Sequence, residues 1–542
     1  MRVAAAVGRA LAGLGVRQAF GVVGSGNFDV TNALVAGGAR YVAARHEGGA
    51  ATMADAYARM SGEVAALTLH QGPGLTNAMT GLTEAAKSRT PLLVLAAEAT
   101  APTSNFAIDQ AAMANAVGAE TVRISAAEDA VDETVRAFHL ARDQRRTVLL
   151  NLPLEVQGTE CPSPVDVAAG DPPPPVQPGA DDIDTLARLL SEARRPLLIA
   201  GRGARHARSE LLALGDACGA LLATSAVAKG LFNASPWSLD VSGGFASPLA
   251  AELIGGADVV VSFGCALNMW TTRHGRLIGH GARVAQVDVD YAALSRHRPV
   301  DVGVVGDSTA TAAAVAAALT GRVNTGYRDE SVRDRIAREI RWRDVRYDDW
   351  STTETIDPRT LTIALDDLLP AERVVAVDSG NFMGYPSMFL SVPDENGFCF
   401  TQAFQSIGLG LATAVGAALA QSHRLPVAAL GDGGALMAAA ELDTVRRLQL
   451  PMVVIVYNDA AYGAEVHHFT DGQPLDTVTF PDTDIAAIAR GYGLDAVTVR
   501  AVADLRGVRR WLEGARDRAL LIDAKVAAPR GSWWLEEAFR GH

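Results

Sequence analysis

Residues 430–434 read LGDGG and follow residues 426–430 (PVAAL), a short apolar run with the composition of a strand. Residues 435–448 then show helical spacing of apolar positions, namely Leu436, Leu442, Val445 and Leu448. The pattern predicts a strand-to-helix turn that carries Asp432. Glycine lets a backbone approach a phosphate closely, and a helix N-terminus adds N–H donors. The glycines of this turn, all predicted to contact a bound cofactor, are Gly431, Gly433 and Gly434.

A second apolar run, residues 452–457 (MVVIVY), leads to the sequence NDAA, which begins at Asn458 and Asp459. Side-chain oxygens on neighbouring strand ends, together with a loop carbonyl, suit Mg²⁺, which prefers oxygen ligands and usually keeps phosphate oxygens among them. The tripeptide GDG alone is more typical of an acidic β-turn. The two segments together predict a site for a magnesium diphosphate.

Strand and helix patterns alternate along the chain and divide it into three predicted domains: residues 1–165, 180–322 and 355–530. Predicted strands lie at residues 19–23, 39–44, 64–69, 91–97, 147–152, 196–200, 259–263 and 284–289. Residues 161–182 are rich in proline and glycine and predict an extended linker, whereas residues 328–350 predict a charged helical connector. The predicted fold class is α/β, with three doubly wound domains and mostly parallel sheets.

Composition narrows the class of protein. The chain has 542 residues and a net charge of -13, and no basic tract indicates nucleic acid or an anionic membrane as a partner. Residues 3–16 resemble an amphipathic first helix, not a signal peptide, and no apolar stretch reaches the ~20 residues of a membrane span. The four cysteines lie far apart and form no CxxC pair, as expected for reduced, mostly buried thiols. We expect a cytoplasmic enzyme.

The GDG and NDAA segments and the spacing between them resemble the signature of the superfamily of thiamin diphosphate-dependent 2-oxo acid decarboxylases and acetolactate synthases. The resemblance covers nearly all of the chain and implies a pyrimidine-binding, a central and a diphosphate-binding domain. It implies Asp432, Asp459 and the carbonyl of Ala461 as Mg²⁺ ligands, with Tyr462 next to the cofactor. Asp459 replaces the second asparagine of the family pattern. Either this carboxylate holds the metal more tightly, or Asn458 takes the role; we favour Asp459.

The resemblance also assigns cofactor contacts elsewhere. Glu47, in the sequence RHEGGA that begins a helix, matches the acidic residue that hydrogen-bonds N1′ of the aminopyrimidine. That hydrogen bond favours the imino tautomer, which removes the C2 proton of the thiazolium. Ile407 matches the apolar residue that bends the cofactor into its V shape. A weaker match gives the diphosphate or pyrimidine three contacts: Asp378, Ser379 and Gly380.

Three further residues bear on the chemistry. His70 and Ser25 occupy positions at which benzoylformate decarboxylases carry an active-site histidine and a carboxylate-binding serine. Ser25 could instead cap the helix that begins near Asn27. Glu465 aligns with a glutamate that pyruvate decarboxylases use for proton transfer. In contrast, residues 72–74 (GPG) resemble acetolactate synthases.

These matches predict Mg²⁺-dependent decarboxylation of a 2-oxo acid through an enamine intermediate, by a lyase or carboligase. Protonation by His70 or Glu465 would release an aldehyde, whereas attack on a second carbonyl would give a ligated product. The alternatives are an acetolactate synthase-type subunit and, in another class, a non-catalytic regulatory paralogue. FAD is left open but is not predicted. Because the superfamily joins Glu47 and the metal motif across subunits, we expect a homodimer or homotetramer.

Overall fold

The computed structural model describes residues 1–321, 325–469 and 472–535. They form three six-stranded sheets, and every strand pair in them is parallel. The predicted α/β class is confirmed. The domain boundaries drawn from the sequence stay a prediction.

The first sheet has the strand order β2-β1-β3-β4-β6-β5. Its strands are β1 (Gln18–Gly21), β2 (Arg40–Ala43), β3 (Ala65–Leu69), β4 (Leu92–Glu98), β5 (Glu120–Arg123) and β6 (Thr147–Pro153). The helices are α1 (Val3–Gly13), α2 (Phe28–Ala36), α3 (Glu47–Ser61), α4 (Pro73–Lys87), α5 (Gln110–Ala116), α6 (Ala130–Asp143) and α7 (Leu154–Gln157). The strand order reverses between β1 and β3. A crevice at the carboxyl ends of these two strands is therefore the expected place for a ligand.

The second sheet has the order β12-β11-β10-β7-β8-β9. Its strands are β7 (Pro196–Ala200), β8 (Leu221–Thr224), β9 (Ser238–Val241), β10 (Val259–Phe263), β11 (Arg283–Asp288) and β12 (Val302–Val305). The helices are α8 (Ala180–Glu192), α9 (Arg208–Cys218), α10 (Pro248–Gly255), α11 (Met269–Thr272), α12 (Ser308–Ala318) and α13 (Glu330–Glu339). Single 3₁₀ turns lie at Arg202–Ala204, Ala226–Ala228, Tyr291–Ala293 and Trp342–Asp344. This is the strand order of dinucleotide-binding Rossmann folds, which reverses here between β7 and β10.

The third sheet has the order β14-β13-β15-β16-β18-β17, the same arrangement as the first. Its strands are β13 (Arg373–Val377), β14 (Phe398–Phe400), β15 (Leu425–Gly431), β16 (Val453–Asn458), β17 (Asp495–Val499) and β18 (Leu520–Lys525). The helices are α14 (Pro358–Leu368), α15 (Gly384–Phe389), α16 (Gly410–Ala420), α17 (Asp432–Met437), α18 (Leu442–Arg447), α19 (Gly463–His468), α20 (Ile485–Gly491) and α21 (Arg506–Glu513). The 3₁₀ turns are Asn381–Met383, Ala439–Glu441 and Val502–Leu505.

One prediction of local structure is wrong. Residues 435–448 do not form one helix: α17 begins at Asp432, ends at Met437 and is followed by a 3₁₀ turn before α18. The linker prediction holds over residues 161–179, which contain no helix or strand, but α8 begins at Ala180. The connector contains α13 and a 3₁₀ turn.

The first and third sheets share a hydrophobic core within the chain. The core includes Met53 of α3 and Leu411 of α16, and a Cβ at Gly416 would collide with the carbonyl of Met53. The close approach of these two helices joins the first domain to the third. All four cysteines are free and buried. Among the described residues, no helix is long and apolar enough to cross a membrane.

Candidate active site

A cavity of about 270 Å³ opens at the carboxyl edge of the third sheet, where the strand order reverses between β13 and β15. Loops that follow β13, β15 and β16 form most of its wall. The lining includes many residues that the sequence predicts for the site: Ser379, Gly380, Ile407, Gly431, Asp432, Gly433, Gly434, Asp459, Ala461, Tyr462 and Glu465. The structure thus gathers residues that lie up to 86 positions apart around one space.

Strand pairing brings two acidic residues together in this cavity. Because Gly431 of β15 lies opposite Tyr457 of β16, Asp432 and Asp459 leave the sheet side by side. Burial raises the pKa of both carboxyls, and the charge of Asp432 raises that of Asp459 further. A cation between two buried carboxylates relieves their repulsion, so the pair fits Mg²⁺.

The rest of the loop supports this donor set. The backbone N–H of Ala461 lowers the pKa of both the Asp432 and the Asp459 carboxyl, against the larger effect of burial. Over residues 1–321, 325–469 and 472–535, no group of three or more His, Cys, Asp or Glu side chains could hold a metal. A cation here would therefore take further oxygens from the backbone and from a bound diphosphate, as Mg²⁺ commonly does.

The glycines of the turn leave room that a side chain would fill. A Cβ at Gly433 would lie 2.7 Å from a ring carbon of Tyr462, and a Cβ at Gly434 would collide with the carboxylate of Asp378. Only glycine fits both places without displacing a neighbour. The backbone of the turn can consequently approach a diphosphate closely.

Asp378 supports the cavity from behind and does not line it. Its carboxyl accepts the N–H groups of Ser379, Gly408 and Leu409, at 2.8, 3.0 and 3.2 Å. Burial raises the pKa of this carboxyl to about 6 against the effect of these donors. Asp378 therefore fixes the turn that presents Ile407, and its direct contact with a cofactor stays a prediction.

Ile407 lines the cavity from a tight turn. Gln405 and Gly408 have φ angles of 66° and 86°. For a residue other than glycine, a left-handed backbone is uncommon and concentrates at functional sites. The turn directs an apolar side chain into the cavity just before α16 begins.

Asn458 points away from the cavity. Its Nδ2 donates to Asp523 Oδ1 at 2.9 Å, and its Oδ1 accepts the N–H of Ala460 at 3.2 Å. Asp523 in turn pairs with Lys525 at 3.1 Å. The predicted contact of Asn458 with a cofactor finds no support in this geometry. Its amide instead holds the loop that carries Asp459.

Glu465, on α19, has a carboxylate oxygen without a partner. Its Oε2 is buried and accepts no hydrogen bond from any residue that the structure describes, although the side chain lines the cavity. A buried carboxylate oxygen without a donor is unusual in proteins and indicates a function or a bound group. Nearby on the same helix, burial lowers the pKa of the His467 imidazole.

Three candidate residues lie on the first sheet instead. Ser25, Glu47 and His70 follow β1, β2 and β3, so they share the carboxyl edge at the reversal of strand order. None of the three lines the cavity of its own chain. The structure therefore forms two separate groups of candidate residues in one chain.

Ser25 and His70 lie close together. The N–H of Gly26 donates to Nδ1 of His70 at 3.3 Å, so a neutral ring carries its proton on Nε2. Ser25 is exposed and forms no hydrogen bond within the described part of the chain. Asn27, not Ser25, holds this loop, because its Oδ1 accepts the N–H of Gly24 at 2.8 Å. The alternative role of Ser25 as a helix cap is wrong.

Glu47 is half-buried at the first position of α3. Its Oε2 accepts a hydrogen bond from Nδ2 of Asn77 at 3.0 Å, and the preceding His46 caps the helix by accepting the N–H of Gly48. These contacts hold the carboxyl at the edge of the domain, where it can reach a group outside the chain.

Sequence reasoning missed the part that the C-terminal segment plays. Asn381 lines the cavity, Ser532 donates to its side-chain carbonyl, and Trp534 Nε1 donates to its backbone carbonyl at 3.1 Å. Asn381 is the last residue of the sequence DSGN, which begins at Asp378. Its partners lie about 150 positions away, and no local pattern links them.

In the central sheet, the loops at the reversal of strand order pack against each other and against the first domain. Gly203 N–H donates to the carbonyl of Gly264 at 3.1 Å, so the loops after β7 and β10 contact each other. Arg202 is half-buried and donates to the backbone of Ser88 in the first domain. The loops after β7 and β10 thus contact each other at the point where this strand order offers a crevice to dinucleotides.

Comparisons with known proteins show the family of the chain. Three family models match the chain: thiamine pyrophosphate enzyme, N-terminal TPP binding domain at residues 1–119, central domain at residues 183–315 and C-terminal TPP binding domain at residues 378–524. The chain belongs to the thiamine pyrophosphate enzymes and is a thiamin diphosphate-dependent lyase or carboligase.

Its relatives differ in the reactions that they are named for. A sulfoacetaldehyde acetyltransferase from Castellaniella defragrans is 28% identical, over 91% of this chain and 87% of the relative. A probable 2-ketoarginine decarboxylase from Pseudomonas aeruginosa is 28% identical, over 96% and 93%. The solved 4-hydroxybenzoylformate decarboxylase of Rhodococcus jostii RHA1 shares the fold, with a TM-score of 0.81 and 21% identity over 97% of this chain and 99% of that one.

Proposed function

We propose that the protein uses thiamin diphosphate and Mg²⁺ to decarboxylate a 2-oxo acid, and that it releases an aldehyde or joins it to a second carbonyl. The buried, unpartnered oxygen of Glu465 carries this proposal. It lies in the same cavity as Asp432 and Asp459, where a carboxyl group could transfer a proton to a substrate carbon.

The chain offers a separate group for each part of the cofactor. Asp432, Asp459 and the carbonyl of Ala461 would hold Mg²⁺, and the backbone of Gly433 and Gly434 would hold the diphosphate. Thiamin diphosphate supplies an electron sink when carbon dioxide leaves the substrate. Ile407 would support the bent form of the cofactor, and Tyr462 would pack beside it.

The first domain would supply the remaining groups. Glu47 would share a proton with N1′ of the aminopyrimidine, and Asn77 orients its carboxyl for that contact. Ser25 would bind the carboxylate of the substrate, and His70 would donate a proton from Nε2. The exposed hydroxyl of Ser25 and the position of the His70 ring against Gly26 support these roles.

These two groups would meet in a homodimer or homotetramer, with Glu47 of one subunit at the cavity of its partner. Both edges expose large apolar side chains, as expected of surfaces that another subunit covers. They are Val23, Phe28, Phe106 and Ile108 on the first domain, and Leu436, Met437, Phe469 and Phe480 on the third. A fully active monomer in size-exclusion chromatography would contradict the assembly. The four free thiols fit a cytoplasmic location.

A synthase-type reaction is the second candidate, because the sequence GPG resembles acetolactate synthases and one relative is named an acetyltransferase. The GPG segment also has a local explanation. Gly72 has a φ angle of 67°, and Pro73 is the first residue of α4. A turn of this shape favours glycine, and a helix start favours proline, whatever the reaction.

The test is turnover of pyruvate and of benzoylformate by the purified protein with thiamin diphosphate and Mg²⁺, with carbon dioxide measured and products resolved by mass. Aldehyde as the sole product would support proton donation by His70 or Glu465. Acetolactate or an acyloin would shift the assignment to carboligation. Bound cofactor with no turnover of either acid would point to another donor.

A further inference from the structure

Glu441, in the third domain, binds the backbone of the first domain in the same chain. Its Oε1 accepts the N–H groups of Arg45 and His46, both at 3.0 Å, and Thr444 donates to its Oε2 at 2.6 Å. The side chain is almost fully buried, with 3% exposure. The two N–H groups belong to the turn that immediately precedes Glu47. A carboxylate from another domain thus completes the N-terminal end of α3.

The residues after Glu441 add two contacts to the same segment of the first domain. Asp443 Oδ2 accepts from Nε of Arg45 at 2.6 Å, and Arg447 donates to the carbonyl of Ala43 at 2.6 Å. Hydrogen bonds from Arg446, Arg447 and Arg45 hold the pKa of the Asp443 carboxyl well below its usual range. Gly49 lies against the group, since a Cβ there would be 2.5 Å from Glu441 Oε1. We name residues 441–447 the clamp.

The clamp connects directly to the predicted metal site. The segment from Asp432 to Glu441 consists of α17 and the 3₁₀ turn Ala439–Glu441. Nine residues at a helical rise span about 13 Å. One end of this short segment carries a carboxylate of the cavity, and the other end holds the turn of Glu47. The wrongly predicted helix over residues 435–448 is interrupted at this position.

We propose that Glu441 is a positioning residue for Glu47, and that binding of a magnesium diphosphate at Asp432 orders the Glu47 turn of the same chain through the clamp. This inference rests on the proposed function. In an assembly where Glu47 serves the partner's cavity, occupation of one site would prepare the catalytic carboxyl of the other.

Hydrogen exchange measured by mass spectrometry tests the coupling. The probe is Mg²⁺ with inorganic diphosphate, which has no pyrimidine ring and therefore cannot contact Glu47. In the wild-type protein, we expect slower exchange in residues 430–437 and also in residues 43–50. In Glu441→Ala, we expect slower exchange in residues 430–437 alone. Slowing of residues 43–50 to the same degree in this variant would overturn the proposal.

The same experiment separates the two levels of inference. Protection of residues 430–437 in the wild type without any effect on residues 43–50 would overturn the clamp and leave the metal site standing. No protection in either segment would overturn both. The matched control is Gln421→Ala, because Gln421 Nε2 donates to the carbonyl of Met60 at 2.9 Å and joins the same domains at the other end of α3. We expect this variant to exchange like the wild type.

A kinetic measurement distinguishes positioning from general stability. Under the proposed function, the exchange of the C2 proton of bound thiamin diphosphate with deuterium, followed by NMR, would depend on Glu47. For Glu441→Ala we expect this rate to fall roughly tenfold, about the effect of one lost charge-assisted hydrogen bond. Glu441→Gln keeps an oxygen acceptor and should recover part of the rate. Equal rates in all three proteins, with a change only in Tm, would reduce Glu441 to a structural role.

Discussion

The first and third sheets have the same strand order, but candidate residues of the third sheet line a cavity, and none of the three candidate residues on the first sheet lines that cavity. The loops of the third sheet bring glycines and a pair of carboxylates into contact. Those of the first sheet present Ser25, Glu47 and His70 at an open edge. The same scaffold therefore carries two unlike groups of candidate residues, which we propose as the two halves of one site. Each group lacks what the other has, which is why we propose an oligomer.

In the central sheet, the loops at the reversal of strand order contact each other. Its Rossmann order offers a crevice between β7 and β10, but Gly201 and Gly203 pack directly on the loop at Gly264. Arg202 leaves this edge to bind the first domain. Strand order creates an opportunity for a ligand, and the loops decide whether the opportunity is used.

Among the single substitutions proposed below, loss of Glu47 should lower turnover the most. We expect Glu47→Gln to lower turnover by roughly 10³-fold, the range for removal of a positioned acid–base group, because the amide cannot share a proton with N1′. Cofactor affinity, measured by calorimetry, should change little since the third domain holds the diphosphate. Glu63→Gln, at an exposed carboxyl that accepts from Tyr57 beyond the end of α3, is the control and should keep full activity.

A mixture of two inactive variants tests whether the halves come from different chains. In a dimer that contains one Glu47→Gln chain and one Asp432→Ala chain, one site has both defects and the other has neither. Random pairing in equal amounts should therefore restore about a quarter of wild-type activity. A mixture with no activity would show that each chain completes its own site.

The next prediction distinguishes whether the first or the third sheet supplies the proton donor. Glu465 belongs to the third sheet and His70 to the first, and each is a candidate donor. We expect Glu465→Gln and His70→Ala each to lower aldehyde release by roughly 10²-fold, with products resolved by mass spectrometry. His467→Gln, two positions along α19, should remain within about twofold of the wild type. If a variant releases aldehyde at the wild-type rate, the residue that it replaces is not the proton donor.

The sequence predicts best what local chemistry determines. Strands β7 and β10 have the predicted bounds because they are short, buried runs of aliphatic residues. The residues around Asp432 could be predicted as a site, since strand ends in a parallel sheet meet at one edge. In contrast, no prediction named β5 or β17, which lie at sheet edges and mix polar with apolar residues.

What the sequence cannot predict depends on distant partners. The periodicity of residues 435–448 indicates one helix, but Glu441 turns to bind Arg45 and His46, and the helix is interrupted there. Asn458 resembles a ligand in sequence, yet Asp523 takes its amide. In both cases a contact across the fold overrides the local pattern, as tertiary contacts commonly do.

Asp459→Asn should weaken metal binding and stabilise the metal-free protein. Both changes should be smaller than the effects above. The pKa of Asp459 is raised to about 7 by burial and by the charge of Asp432. The folded, metal-free protein therefore binds this proton more tightly than the unfolded chain. The resulting stability is complete below pH ~4 and is lost as the pH rises through about 7. The Tm of the metal-free wild type should fall over this range.

In the Asp459→Asn variant this fall should be smaller, and the metal-free protein should melt roughly 2–6 °C higher than the wild type at pH 8. Its affinity for Mn²⁺, measured by electron paramagnetic resonance, should drop roughly tenfold because one negative charge is lost. Asp476→Asn, at an exposed carboxyl, is the control. If the wild type and Asp459→Asn had the same dependence of Tm on pH, the carboxyls of Asp432 and Asp459 would not repel each other.

Ser25→Ala should have the smallest effect and bears on the open edge of the first sheet. Because Ser25 is exposed and accepts or donates no hydrogen bond within the described residues, its loss should leave Tm within about 1 °C. The loss of one neutral hydrogen bond to a substrate should raise KM roughly 3- to 10-fold, with kcat nearly unchanged. Ser125→Ala, at an exposed serine after β5 on the same edge, should leave KM unchanged. If Ser25→Ala also leaves KM unchanged, Ser25 does not bind the substrate carboxylate. The first sheet would then contribute only proton transfer, through Glu47 and His70, and the third sheet would bind the carboxylate.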